Sequence, residues 1–187
     1  MQDINYSLEK IMDWLKQNQP EFADSFLPGI TIDEIKKIEK EIGFKLSEEI
    51  CKLYQWRNGT TKYGKALFFP SIQYLPFEEA LMVSQDISFE ISSEEDGYFY
   101  ENKPIFTFIF EENEGCAIPL EKVRLKKTPV LYFFGEEPEL SVCYKNLTTM
   151  MQLFAECYET GAYYLDNEGF TCEDEYKVSE IFSKYNV

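Results

Sequence analysis

Any catalysis by this chain would have to be done by carboxylates, for it holds 34 Asp and Glu residues, 18 Lys and Arg, and no histidine. Histidine is the commonest general base near neutral pH and the commonest transition-metal ligand. Its absence removes Ser-His-Asp and Cys-His catalysis as usually built, together with His-based zinc and non-haem iron sites. Two acid-only chemistries stay possible: a glycosidase-type carboxylate pair, and a magnesium site held by Asp and Glu. Neither has positive support, because acids this abundant form close pairs by chance. The phosphate and nucleophile motifs G-x-G-x-x-G, G-x-x-x-x-G-K-[ST] and G-x-S-x-G are also missing. The five cysteines (Cys51, Cys116, Cys143, Cys157, Cys172) are odd in number, far apart and without a C-x-x-C pair. They read as reduced packing residues rather than a disulfide framework or zinc knuckle. No catalytic residue, cofactor or metal is therefore expected.

What the carboxylates can do is bind. A net charge of −16 repels nucleic acid and anionic lipid and speeds encounter with cationic partners, although the same charge also serves plain solubility. The acids are clustered. Between positions 90 and 114, Glu90, Glu94, Glu95, Asp96, Glu101, Glu111, Glu112 and Glu114 face the single base Lys103, and a second group holds Asp166, Glu168, Glu173, Asp174 and Glu175. Glu94, Glu95, Asp96, Glu111, Glu112, Glu114, Glu173, Asp174 and Glu175 are the candidate partner-binding residues. The plainer alternative is that each cluster is solvated loop, and residues 92–97 in particular read as an exposed loop.

The elements that carry these clusters follow from periodicity. Leu8, Ile11, Met12 and Leu15 predict a helix over 8–17, with Ser7 placed to cap it and Pro20 beyond its end. Thr31 and Glu34 form a T-x-x-E capping box before Ile32, Ile35, Ile38 and Ile42, and Gly43 supplies a left-handed stop. Ser47 caps a third helix to Trp56, ended by Asn58-Gly59. A β segment over 66–69 and a one-to-two-turn helix over 77–83 come next. Ile105-Phe106-Thr107-Phe108-Ile109-Phe110 and Val130-Leu131-Tyr132-Phe133-Phe134 are continuous apolar runs that predict central strands of one antiparallel sheet, with partners over 116–120 and 140–144. Leu147, Met150, Met151, Phe154, Ala155 and Tyr158 mark a long helix closed by Gly161, and a last helix covers 176–184. No repeat or linker divides the chain, so one α+β domain over 1–187 is expected, an antiparallel sheet flanked by helices.

The stretch from 32 to 80 resembles the SUKH superfamily, which includes the fungal cell-wall assembly regulator linked to killer-toxin resistance and many bacterial immunity proteins against polymorphic toxins. The resemblance rests on an ordered series: Ile35, Ile38 and Glu39 with Gly43-Phe44; Leu46-Ser47-Glu48-Glu49; Leu53-Tyr54-Gln55-Trp56-Arg57-Asn58-Gly59; Leu67-Phe68-Phe69-Pro70; and Tyr74-Leu75-Pro76-Phe77-Glu78-Glu79-Ala80. Pro104-Ile105-Phe106, Gly115-Cys116, Val130-Leu131-Tyr132 and the helix opening Leu147-Thr148-Thr149-Met150-Met151 extend it over most of the chain. The core signature lies at 31–80 and the sheet with the C-terminal helices at 104–187. Ser47 stands where proline is usual, which leaves capping intact, and Arg57 where histidine is frequent, so that position has no titrating role. Gly43, Leu46, Leu53, Tyr54, Trp56, Asn58 and Gly59 are expected to determine the fold.

The resemblance implies a scaffold whose binding faces vary. The first reading is a non-catalytic immunity protein that neutralises a basic, nuclease-type toxin by direct binding, its carboxylates standing where phosphates would sit. The second is a regulatory or scaffold protein of cell-envelope assembly or signalling. A carboxylate-based hydrolase is a remote third. The N-terminus has no basic and apolar leader and no apolar run is long enough to span a bilayer, so a cytoplasmic protein without membrane or nucleic-acid partners is expected. It is expected to be a monomer or, through free sheet edges, a weak homodimer.

Overall fold

The computed structural model of the chain describes residues 3–61, 73–91, 103–112, 114–134 and 140–185. Helix α1 (Ile4–Asn18) begins a turn earlier than its periodicity suggested, because Ile4 extends the buried stripe of Leu8, Ile11, Met12 and Leu15. Asp3 occupies the N-cap and Ser7 is buried inside the helix rather than capping it. A one-turn helix α2 (Pro20–Ala23) and a short strand β1 (Phe26–Pro28) lead to α3 (Ile32–Ile42). The α3 capping box is present in full: Glu34 donates its N–H to Thr31 Oγ1 at 3.2 Å, and its carboxylate accepts from the Thr31 N–H at 2.7 Å. Gly43 closes the helix at φ 74°.

Helix α4 (Glu48–Trp56) starts at Ser47, whose side chain accepts from the Ile50 N–H. Its end differs from the expected Asn-Gly stop. Arg57 is already extended, and Arg57–Thr60 form β2, antiparallel to β1. Of Asn58 and Gly59 only Gly59 has positive φ, 76°, and its role is close approach: a Cβ there would lie 2.3 Å from the Pro76 backbone nitrogen. Asn58 Oδ1 accepts from the Phe77 N–H at 2.9 Å, which satisfies one of the orphan donors at the start of α5 (Phe77–Ile91). The Asn-Gly pair thus ties β2 to the next helix instead of ending the previous one.

The expected strand over 66–69 and loop over 92–97 lie outside the described residues. After β3 (Gln73–Tyr74), α5 runs 15 residues rather than one or two turns. Buried Ser84, in its middle, donates to the Ala80 carbonyl and accepts from the Thr107 N–H at 2.8 Å, which fastens the helix to the sheet. The sheet is antiparallel throughout, in the order β3-β4-β5-β6-β7, with β4 (Ile105–Glu111), β5 (Glu114–Pro119), β6 (Val130–Phe134) and β7 (Ser141–Tyr144). Both strands expected to be central are interior. Helix α6 (Leu147–Thr160) is capped by Asn146 and closed by Gly161 at φ 69°. The hairpin of β8 (Tyr163–Leu165) and β9 (Thr171–Glu173), which periodicity did not reveal, precedes α7 (Glu175–Tyr185).

The five-residue stretch Ile105–Ile109 is buried on both faces, as a continuous apolar run requires. One face joins the main core with α1, α4 and α6; on the other, Ile105, Ala117, Leu131 and Phe133 form a smaller cluster. Tyr54 sits at the junction of helices and sheet, with its ring 4.8 Å from Phe77 and 5.8 Å from Phe106, and its hydroxyl donates to the Leu75 carbonyl at 3.1 Å. Burial pushes the Tyr54 phenol well up, so it stays neutral. Among the described residues no helix is long and apolar enough to cross a membrane.

Candidate functional site

Which charges are left for a partner depends on which are turned inward. Glu39 is 1% exposed. Its Oε1 accepts from the Leu46 N–H at 2.9 Å, and its Oε2 accepts from Arg124 at 2.8 Å and Lys45 at 3.2 Å. Glu49, also buried, accepts from the Thr148 hydroxyl and pairs with Lys127 at 3.2 Å. The β5–β6 connection supplies Arg124 and Lys127, and the α3–α4 junction supplies Lys45. The connection is laid against that junction by paired backbone bonds between Lys45 and Glu121, and by the Glu48 N–H on the Leu125 carbonyl. Lys122 lies over the Phe44 ring. Much of this base-rich segment is thereby turned toward two buried carboxylates.

Among the described residues, the acids of the β4–β5 turn have no comparable ion pairs. At the β4–β5 turn Glu111 pairs with Glu114, and Glu112 between them adopts a left-handed φ of 52°, rare for a residue with a side chain. Glu114 accepts from the Tyr132 hydroxyl at 2.7 Å; burial and that carboxylate push the Tyr132 phenol up to about 12. Glu111 is half-buried with one carboxylate oxygen enclosed and without a hydrogen-bond partner. Burial, then the charges of Glu112 and Glu114, hold its carboxyl above the ordinary range. The native state therefore binds this proton more tightly than the unfolded chain does. The resulting penalty is complete above the folded pKa and disappears as pH falls below the unfolded one. Glu111→Gln is expected to raise the melting temperature near neutral pH and to lose that advantage in acid; equal shifts at both pH values would refute the assignment.

The second cluster lies on a different sheet. Glu173 ends β9 and is exposed, and Glu175 opens α7. Asp174 is used locally: it accepts from the Lys177 N–H at 3.2 Å and its carboxyl is held down by that bond and by the Lys177 ammonium at 3.5 Å. Exposed Tyr164, Phe170 and Tyr176 share this end of the molecule with them. Glu94, Glu95 and Asp96 lie outside the described residues.

Sequence reasoning missed the acids of α5. With the helix extended to Ile91, Glu79, Met82 and Asp86 fall at i, i+3 and i+7 on one face. They border a groove of about 520 Å³ whose other wall includes Phe110, Glu111 and Glu112. The signal was available in their spacing, and only the short helix assignment hid it. Three thiols are held away from the activated thiolate form: burial pushes Cys51 up and Cys157 to about 12, and a hydrogen bond with Cys143, then burial, pushes Cys116 well up. All five cysteines are free, and three are buried. Among the described residues no group of three or more Cys, Asp and Glu is placed to hold a metal.

The model of the SMI1 / KNR4 family (SUKH-1) matches residues 29–153. The chain belongs to this family. The SUKH match spans α3 to the middle of α6, and so covers the signature, the buried-carboxylate clamp and the five-stranded sheet. The β8–β9 hairpin and α7 follow it. Membership supports a non-catalytic domain of the immunity or regulatory type, acting through protein contacts. Among curated proteins nothing matches the chain.

Proposed function

We propose that this SUKH domain is a cytoplasmic immunity protein that neutralises a basic, nuclease-type toxin by binding it directly. One observation carries the reading. The cations Lys45, Arg124 and Lys127 are spent on the buried Glu39 and Glu49, while Glu111, Glu112, Glu173 and Glu175 make no ion pair among the described residues. The outward field is then more one-sided than the composition alone implies. Such a field speeds capture of a cationic groove, and partly covers it with carboxylates in place of phosphates.

The test is a tagged pulldown from the native host, washed at low and at high salt. A single basic partner, lost progressively as salt rises, supports the proposal, whereas several envelope or signalling partners would replace it with the regulatory reading. Reversal to Lys at Glu94, Glu95 and Asp96, or at Glu112, Glu173 and Glu175, is expected to slow association with that partner by roughly tenfold or more at low salt. The loss should shrink at high salt and melting should stay unchanged. Association insensitive to both sets would remove these clusters from the contact face.

A further inference from the structure

Met82 is 63% exposed, third among the exposed large hydrophobic residues described after Tyr176 and Val123. It borders two grooves. One, of about 670 Å³, lies between α3 and α5 with Ile38, Ile42, Phe44, Leu81 and Ile105 in its walls and Glu41 and Glu78 also lining it. The other, of about 520 Å³, lies between α5 and the β3–β4 pair, with Leu75, Val83 and Phe110 in its walls and Glu79, Asp86, Glu111 and Glu112 around them. Met82 is thus the ridge between two apolar troughs bordered by six carboxylates. Neither lining contains a Lys or Arg among the described residues, and none of the six acids is in an ion pair there.

We propose that this ridge and its two grooves are the docking surface for a basic amphipathic segment of a protein partner, whose apolar side chains straddle Met82 while its Lys and Arg residues meet the surrounding carboxylates.

Charge complementarity selects this occupant. A second copy of a chain with net charge −16 would bring acid against acid. A purely cationic small molecule would leave the apolar walls of both grooves wet, and a neutral apolar one would gain nothing from six carboxylates. Methionine suits the ridge because its unbranched, polarizable side chain adapts to differently shaped apolar partners. Glu111 adds a specific anchor. Its enclosed oxygen has no partner, so an incoming guanidinium or ammonium would supply the missing donor and relieve the crowding by Glu112 and Glu114. The inference rests on the chain's being a protein-binding domain, and it is independent of whether the partner is a toxin.

The test uses the full chain, isotope-labelled, titrated with a synthetic helical Leu/Lys peptide and followed by amide chemical shifts. Its Leu/Glu counterpart and oligolysine separate charge sign from amphipathicity. The expected result is saturable shifts at Glu79, Met82, Asp86 and Glu111 with the Leu/Lys peptide. Affinity should be weaker by roughly tenfold or more for either control and for the Met82→Glu variant, with that variant's melting unchanged, and the Glu111 carboxyl should titrate lower in the complex. Shifts confined to the β8–β9 hairpin and α7, equal binding of oligolysine, or full affinity in Met82→Glu would each overturn the proposal. So would concentration-dependent self-association that Met82→Glu abolishes, since the occupant would then be a second copy. Failure here is distinguishable from failure of the toxin reading. A native partner captured equally by wild type and Met82→Glu sinks the groove alone, and peptide docking at Met82 with only regulatory proteins captured sinks the toxin alone.

Discussion

Glu39→Ala is expected to lower the unfolding free energy by about 3–5 kcal/mol, because it strands charges and donors that the carboxylate now satisfies together. Glu39 has no solvent-exposed side-chain surface, and Arg124 beside it retains only a quarter of its own. Removing the carboxylate leaves that guanidinium poorly compensated, and the Leu46 N–H loses its acceptor in a buried position. The loss also loosens the β5–β6 connection, whose register against the α3–α4 junction is otherwise held by a few backbone bonds. Denaturant unfolding of Glu39→Ala, Arg124→Leu and the double variant measures the coupling. The double variant should be less destabilised than the sum of the two single ones. A midpoint for Glu39→Ala at the wild-type value would show that the clamp contributes nothing to the fold.

Trp56→Ala is expected to cost a similar amount, about 3–5 kcal/mol, by opening a cavity where α4 hands over to β2. The indole is 9% exposed and meets Phe26 of β1 edge-on at 5.7 Å; the Arg57 guanidinium lies 5.4 Å from its ring, and its N–H donates to Glu9 of α1 at 2.8 Å. One side chain therefore joins three elements that are distant in sequence. Trp56→Phe keeps most of the apolar area and loses the bond to Glu9, a smaller cost on the order of 1 kcal/mol. Thermal melts of both variants separate the packing from the hydrogen bond. A wild-type melt for Trp56→Ala would leave the signature without its structural role.

Gly43, Leu46, Leu53, Tyr54, Trp56, Asn58 and Gly59 stand out in the sequence as expected fold determinants, and the structure gives the surroundings of each. Leu46, Leu53 and Tyr54 are buried, Gly43 and Gly59 hold positive φ, and Asn58 accepts from the start of α5. The length of α5 was not legible. Acids and serines dilute the apolar pattern after Val83, while Ser84, which looks like a surface residue, is buried as a link to β4. The β8–β9 hairpin was hidden for a similar reason, since strands of three residues are too short for a period of two to stand out.

Local rules were enough to determine the capped helices, the continuous apolar strands and the sign of the field, because capping, alternation and charge are properties of neighbouring residues. The direction in which charges point belongs to the tertiary structure. Glu39 and Glu49 look like any other acids in the sequence, yet they are buried and hold cations contributed by residues 45, 124 and 127. Glu79, Glu111 and Glu112, more than thirty residues apart at the extremes, meet around Phe110 only because α5 lies along β4. Which carboxylates are spent inside and which are left for a partner is settled by contacts between elements far apart in the chain, and no sequence window spans them.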